Sequence, residues 1–525
     1  MSDLITQLCQ LTAEILQEHP YADVAGLVRL VKQGIDANSQ LGQAIQGDRQ
    51  LIQINEGNAK GFQTLVTGGI ANIGIHLNDV NPEMLQEILQ RVLAFELTLE
   101  WMWQKFEEVK ANAGARYTPE IHVDLPEAWV FEGLGRTDIF FDRINALYGQ
   151  VYRRAKKLQK LNHLEQRFPK VIQSIESLNQ TLSELITLLQ KIDRDSFTHI
   201  QFTDIASLAK KVEELVYKIY LSTKEGEFFS INEDESSQVG KKRYSSKEIM
   251  GSFQHDISQI LDIIRDVSKL ATQESAEAAN KKVLLLMGDA GTGKTHLFCD
   301  VAKCRLEKEF PTIILLGQHF INGNPWTQII QQLQLPFRSC DDLLNALDAI
   351  AQSCGKRALI MIDALNEGDS KDLWQHNLSG ILKVLENYPR IALAISCRTS
   401  YEHRIIPRNL APESFVKMLH SGFSDSEYIA TKTFFEHYGI ERPRIPLLVP
   451  EFSNPLFLKI FCQGLQKRGL TTTPQGIKGV TAIFNFFMDS VNEVLCHRLD
   501  YDDRTNLVQE SVNSGHTQYV FRFQR

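Results

Sequence analysis

The sequence predicts an α/β fold, a parallel sheet covered by helices and preceded by a mainly α-helical N-terminal region. Three observations predict it. The apolar run Val283-Leu284-Leu285-Leu286-Met287 feeds the glycine loop Gly288-Asp289-Ala290-Gly291-Thr292-Gly293-Lys294-Thr295, and a helical pattern at Leu297, Val301 and Ala302 follows. Apolar runs of strand length recur at Thr312–Gly317, Arg357–Asp363 and Ile391–Ser396, with helical segments near 326–335 and 341–353. Upstream, roughly 100 residues after Pro126 keep helical spacing.

At 525 residues the chain is too long for one core. Four regions are expected: a small N-terminal unit (1–110), a helical, coiled-coil-like region (111–245), the loop-bearing α/β domain (246–425) and a helical region (426–525). A net charge of −8 gives no global basic field, which disfavours nucleic acid as a partner. The eight cysteines are scattered without a C-x-x-C pair and read as free thiols of a reducing compartment. No leader pattern is visible, and no apolar run approaches the roughly 18 residues of a membrane span. The expectation is a soluble cytoplasmic protein with no membrane partner.

In chain order, Leu4, Leu8, Leu11 and Ile15, then Val24, Leu27, Val28 and Val31 beyond Pro20, carry helical spacing. Glycines punctuate 47–76, where short β segments or turns fit better than helix. Asn81-Pro82 is a helix start, Asn as N-cap and Pro at the first helical position, for a helix towards Trp103. A loop follows at Ala113–Pro126. Val171, Ile175, Leu178, Leu182, Leu185, Leu189 and Ile192 keep 4-3 spacing, favouring an intramolecular hairpin or bundle over a free-standing coiled coil. The polar, charged stretch 222–247 reads as a linker or mobile loop, and a helix is expected from about 246 to 277.

The loop has the form G-x-x-x-x-G-K-T between strand and helix, the context a P-loop requires. Its glycines let backbone N–H groups curl around phosphate oxygens, and the following helix N-terminus adds positive potential. Gly288, Asp289, Ala290, Gly291, Thr292, Gly293, Lys294, Thr295 and His296 are the expected nucleotide-binding set. Lys294 would reach the β- and γ-phosphates, and Thr295 would hold Mg²⁺. Asp363 ends an apolar strand about one βαβα interval later, where a carboxylate faces the metal of a bound nucleotide. Thr295 and Asp363 are thus the expected metal partners. Glu367, four residues on, is placed to orient or deprotonate water; otherwise it is a solvated loop acid. Arg398 follows the next strand, where a cation would sense the γ-phosphate or pair with a structural acid.

With these residues assembled, the chain resembles the STAND-class P-loop NTPases, the AAA+-like signalling ATPases that include NACHT and NB-ARC proteins. Leu359-Ile360-Met361-Ile362-Asp363-Ala364-Leu365-Asn366-Glu367 resembles the NACHT Walker B pattern, with a harmless Ala364 expected in place of Gly and Asn366 in place of an acid. Ser396-Cys397-Arg398 is similar to the sensor-1 arginine. Pro450–Leu458 resembles the element after the helical lid, whose proline lies against the base and so implies a role for Pro455. A weaker echo lies at Arg116–Glu120 and Gly133–Arg136. The likeness is closest to prokaryotic antiviral STAND proteins, relatives of NLR immune receptors. It implies a slow regulatory ATPase with ATP and Mg²⁺ as cofactors and Glu367, Lys294 and Arg398 as catalytic residues. It also implies homo-oligomerisation on activation in antiphage defence, and a helical lid after about 425. No sensor repeat or effector signature is visible, so a separate sensor or effector protein is expected, with 1–110 as an adaptor. The run 47–76 has a second reading as a cross-β signalling element. A DNA-acting ATPase and a non-hydrolysing nucleotide-binding scaffold are the alternatives.

Overall fold

The computed structural model describes residues 2–18, a few positions between 27 and 35, 97–159, 169–224, 237–239 and 242–244. It also describes 246–499 apart from 338, 369–370, 409, 442–449 and 474–479. The run 47–76, the helix start at Asn81-Pro82 and the tail beyond 499 lie outside the described residues. The chain divides into two compact units, Met1–Thr98 with Trp326–Ala346, and Leu99–Pro325 with Leu347–Arg525.

In the first unit, helix α1 (Ser2–Glu18) buries Leu8, Cys9, Thr12 and Ala13. These positions recur at three to four residues, as an amphipathic helix requires.

The second unit begins with α2 (Leu99–Ala113), so the boundary expected at 110/111 falls in that helix's last turn. After a loop come α3 (Ala128–Gly135) and four long helices: α4 (Asp138–Gln159), α5 (Pro169–Gln190), α6 (Phe202–Lys224) and α7 (Ser246–Thr272). The last four pack as a bundle, α4 on α5 and α7, and α6 on α5 and α7. The heptad-like stripe Leu178, Leu182, Leu185 and Leu189 is buried in this core of the same chain. Within the stretch expected to be a linker, β1 (Ser237–Val239) and β2 (Lys242–Tyr244) form an antiparallel hairpin. The single helix expected over 246–277 is instead two. Gln273 takes extended backbone angles, and α8 (Glu274–Lys281) starts in a new direction. The turn brings α8 against α3, where a side chain at Gly133 would meet the Ser275 carbonyl at 2.0 Å.

The sheet region follows in chain order: β3 (Val283–Gly288), α9 (Lys294–Glu307), β4 (Thr312–Leu316), α10 (Pro325–Gln332) and α11 (Cys340–Cys354), whose 326–346 stretch belongs to the first unit, then β5 (Ala358–Asp363), α12 (Lys371–Leu385), β6 (Ile391–Arg398), α13 (Glu402–Ile405) and β7 (Val416–Leu419). Its order is β4-β5-β6-β3-β7, with every neighbouring pair parallel. The α/β expectation holds. Strands β3, β4 and β5 are buried along their whole length and β6 all but its last residue, as a sheet covered on both faces demands. Edge strand β7 was not expected: it has four residues, alternates buried and solvent-facing, and carries Lys417.

Helices α14 (Glu427–Tyr438), α15 (Pro455–Lys467) and α16 (Val480–Leu499) complete the unit. Their core of Phe434, Phe435, Leu458, Phe461 and Leu465 also takes in Ile121 and Val123 from the loop before α3. Among the described residues no helix is long and apolar enough to cross a membrane. All eight cysteines are free.

Candidate functional site

Parallel strands all end on the same side of a sheet, so residues that close different strands meet there. The glycine loop leaves β3, Asp363 ends β5, Arg398 ends β6 and His420 follows β7. Between them opens a cavity of about 1190 Å³ lined by all of these groups. Pro455, His296 and Glu367 also line it.

The loop turns because Gly291 and Gly293 adopt φ of +79° and +95°, a left-handed conformation only glycine takes freely. Gly293 is the N-cap of α9, so the positive end of that helix points into the cavity. The start of α15 docks on the loop. Asn454 caps α15 by accepting from Leu456 N, while its Nδ2 donates to Ala290 O at 3.1 Å. Leu456 N donates to Gly291 O at 3.2 Å. Pro455 stands in van der Waals range of the Gly293 Cβ direction.

Lys294 is buried and donates through Nζ to Gly288 O and Asp289 O, both at 2.8 Å. Its ammonium thus closes the loop on itself. Burial lowers its pKa, with Asp363 opposing. Thr295 Oγ1 donates to Asp363 Oδ2 at 2.6 Å, so the two expected metal partners are adjacent. Ser396 Oγ donates to Asp363 Oδ1 at 2.5 Å and accepts from Ala364 N at 2.8 Å. Full burial pushes the Asp363 carboxyl above the usual carboxylate range, against the pull of these two hydroxyls. A cation arriving there would relieve that cost. Among the described residues no group of three or more His, Cys, Asp or Glu forms a metal cage. A single Asp beside a Thr hydroxyl suits Mg²⁺, which keeps waters and phosphate oxygens as its other ligands.

The turn after Asp363 shows what Ala364 and Asn366 each do there. Asn366 Oδ1 accepts from Arg398 N at 2.8 Å, so the amide in place of an acid fixes the end of β6. Ala364 has φ of +57°, where glycine is favoured, so the substitution is not harmless and costs about 1 kcal/mol. Glu367 sits between two guanidinium groups. Arg116 Nη1 lies 2.8 Å from Oε2, and Arg398 Nη2 lies 3.7 Å from Oε1. His296 does not face the loop alone: Nε2 is 3.2 Å from Asp300, Nδ1 accepts from Thr118 N at 3.4 Å, and the ring meets Tyr117 edge-on.

Several site groups escaped sequence reasoning. Asp300, in the second turn of α9, accepts from Tyr117 Oη at 3.0 Å and pairs with His122 at 3.0 Å. Burial alone would raise its pKa, but hydrogen bonds from His296, His122 and Tyr117 outweigh it and the net shift is down. His420 is buried, with Nδ1 3.0 Å from Glu127 Oε1. Burial works against ionisation of Glu127, but the contact with His420 prevails and its pKa is lowered. His420 Nε2 is buried without a hydrogen-bond partner and lies 3.7 Å from the Gly293 Cβ direction. An unsatisfied buried nitrogen beside a loop of backbone donors is a place where a polar ligand gains. No single spacing announces these groups; only Arg116-Tyr117 belongs to a stretch the resemblance had touched.

No family model matches the chain, and no curated protein matches it.

Proposed function

We propose that this chain is a nucleoside-triphosphate-dependent switch of the STAND type, an ATPase whose bound nucleotide sets its assembly state. The observation that carries the reading is the Thr295–Asp363 contact of 2.6 Å at the mouth of a strand–glycine-loop–helix unit. It joins residues 68 apart in sequence into one metal-compatible pair. The residues suit Mg²⁺–ATP: a buried ammonium, a helix N-terminus, a desolvated carboxylate and an unpartnered histidine nitrogen line one cavity.

When bound, the nucleotide supplies the phosphoanhydride whose cleavage the switch uses. The loop N–H groups and Lys294 bind and orient the phosphates, and Thr295 with Asp363 holds Mg²⁺. Glu367 accepts a proton from the attacking water, and Arg398 at the end of β6 balances charge developing on the γ-phosphoryl group. Pro455 opens α15, so lid and loop move as one contact, which gives nucleotide state a path to conformation. Coupling to a separate sensor or effector in antiphage defence, from a cytoplasmic location, belongs to this proposal by resemblance alone.

Hydrolysis and assembly are measured together. Glu367→Gln is expected to lower kcat by about 10²-fold or more with nucleotide affinity kept. Lys294→Ala is expected to abolish binding and nucleotide-dependent oligomerisation. Assembly unaffected by Lys294→Ala would overturn the switch; turnover unaffected by Glu367→Gln would favour a scaffold.

A further inference from the structure

The base proposed for hydrolysis is held by a residue from far upstream. Arg116 lies 251 positions before Glu367, in the turn that ends α2. Its Nη1 donates to Glu367 Oε2 at 2.8 Å, and its Nη2 donates to Gln318 Oε1 at 3.1 Å beyond β4. With Arg398 beside the other oxygen, both carboxylate oxygens of Glu367 face guanidinium groups. The Arg116 hydrogen bond takes one acceptor site of Oε2 and draws the carboxylate towards Arg116, so opening this contact leaves Glu367 freer to turn to water and act as base. Both partners keep partial solvent access, 19% and 26%, and a part-exposed ion pair opens easily.

A second contact fixes the same turn. Lys459, in the second turn of α15, donates through Nζ to Ala115 O at 2.6 Å and to Thr118 Oγ1 at 2.7 Å. Burial lowers the pKa of this ammonium, so these two acceptors matter to it. The first turn of α15 meanwhile holds the glycine loop through Asn454 and Leu456. One helix therefore grips both the loop and the segment that carries Arg116. Any rotation of α15 changes both contacts at once.

We propose that Arg116 is a positioning residue that holds Glu367 in a resting ion pair, and that Lys459 makes lid helix α15 the element that sets or releases it. The inference rests on the reading of Glu367 as the hydrolytic base. Movement of α15 withdraws Lys459, loosens 115–118 and frees Glu367. Basal hydrolysis is thereby restrained and rises when the lid moves.

The test has two readouts on the full chain. In steady-state turnover with Mg²⁺–ATP, Arg116→Ala is expected to raise kcat about tenfold with KM nearly unchanged, and Arg116→Lys to fall between it and wild type. Lys459→Ala raises kcat in the same direction, and the double variant exceeds Arg116→Ala by little, because both act on one contact. In the nucleotide-free protein, hydrogen exchange of the amides of 115–118 is expected to quicken about tenfold in Lys459→Ala, with the bundle amides of α4–α7 unchanged. Turnover unchanged or reduced in both Arg116→Ala and Arg116→Lys overturns the proposal, as does unchanged exchange at 115–118 in Lys459→Ala. Glu367→Gln separates the two levels. If it abolishes turnover and the Arg116 variants do not raise it, the restraint alone fails. If it leaves turnover intact, the reading of Glu367 fails and the restraint with it.

Discussion

At the amino-terminal end of the five-stranded sheet, Arg136 and Arg357 are buried with backbone carbonyls around their guanidinium groups. Arg136 donates to Ala279 O, Ser196 O and Thr198 O, and Arg357 to Pro389 O, Leu134 O and Ala278 O. Burial pushes Arg136 down to about 10, still protonated at neutral pH. Several of these carbonyls close α3 and α8, where the helix dipole is negative, so the charges are balanced by fixed backbone. At the carboxyl-terminal end the balance is different. Asp363 depends on two hydroxyls, Lys294 on the carbonyls of its own loop, and His420 Nε2 on nothing in the protein. One end of the sheet spends its buried charge on cohesion; the other keeps it open to a ligand.

The largest expected effect separates the two ends. Arg357→Ala removes a buried guanidinium that donates to the carbonyls of Pro389, Leu134 and Ala278, and should cost about 3 kcal/mol of stability. Asp363→Asn removes a desolvated carboxylate, so stability should hold or rise by about 1 kcal/mol while Mg²⁺-dependent turnover is lost. Thermal melts beside turnover assays check both; a large loss of stability in Asp363→Asn would erase the contrast.

The amount of this legible in sequence follows from how far apart the pieces lie. Strands β3 to β6 were readable because burial on both faces makes their apolar runs continuous, whereas β7 is a four-residue edge with a half-exposed pattern. The break at Gln273 was hidden because Thr272-Gln273-Glu274-Ser275 holds no glycine or proline to mark it, while the turn serves the packing of α8 against α3. In the site, Gly288–Thr295 and Asp363–Glu367 each lie in one short stretch, and their residue types state their chemistry. Arg116, His420 and Lys459 do not: folding brings them to partners 251, 293 and 344 positions away. Ala364 shows the reverse case, a substitution whose effect depends on a φ that residue identity does not reveal.

A smaller effect sharpens the contrast through pH. Burial alone would lower the pKa of His122, but Asp124 and Asp300 outweigh it and the net shift is up. A base with a raised folded-state pKa contributes its full stabilisation below its unfolded value of about 6.5 and loses it as pH rises through the folded value. Because His122 is largely exposed, the contribution is small. His122→Ala should melt about 1 °C below wild type near pH 5.5, and the gap should close by about pH 9. Melting curves across that range check the sign, and a gap that widened with pH would reverse it.

The most direct test of the central claim is the change in melting temperature when Mg²⁺ and a non-hydrolysable ATP analogue are added to wild type and to Lys294→Ala. Saturating ligand at about 100 times Kd should stabilise wild type by about 2.7 kcal/mol, and the variant should not respond. No rise in wild type, or an equal rise in both, would contradict a carboxyl-terminal end built to receive a nucleotide.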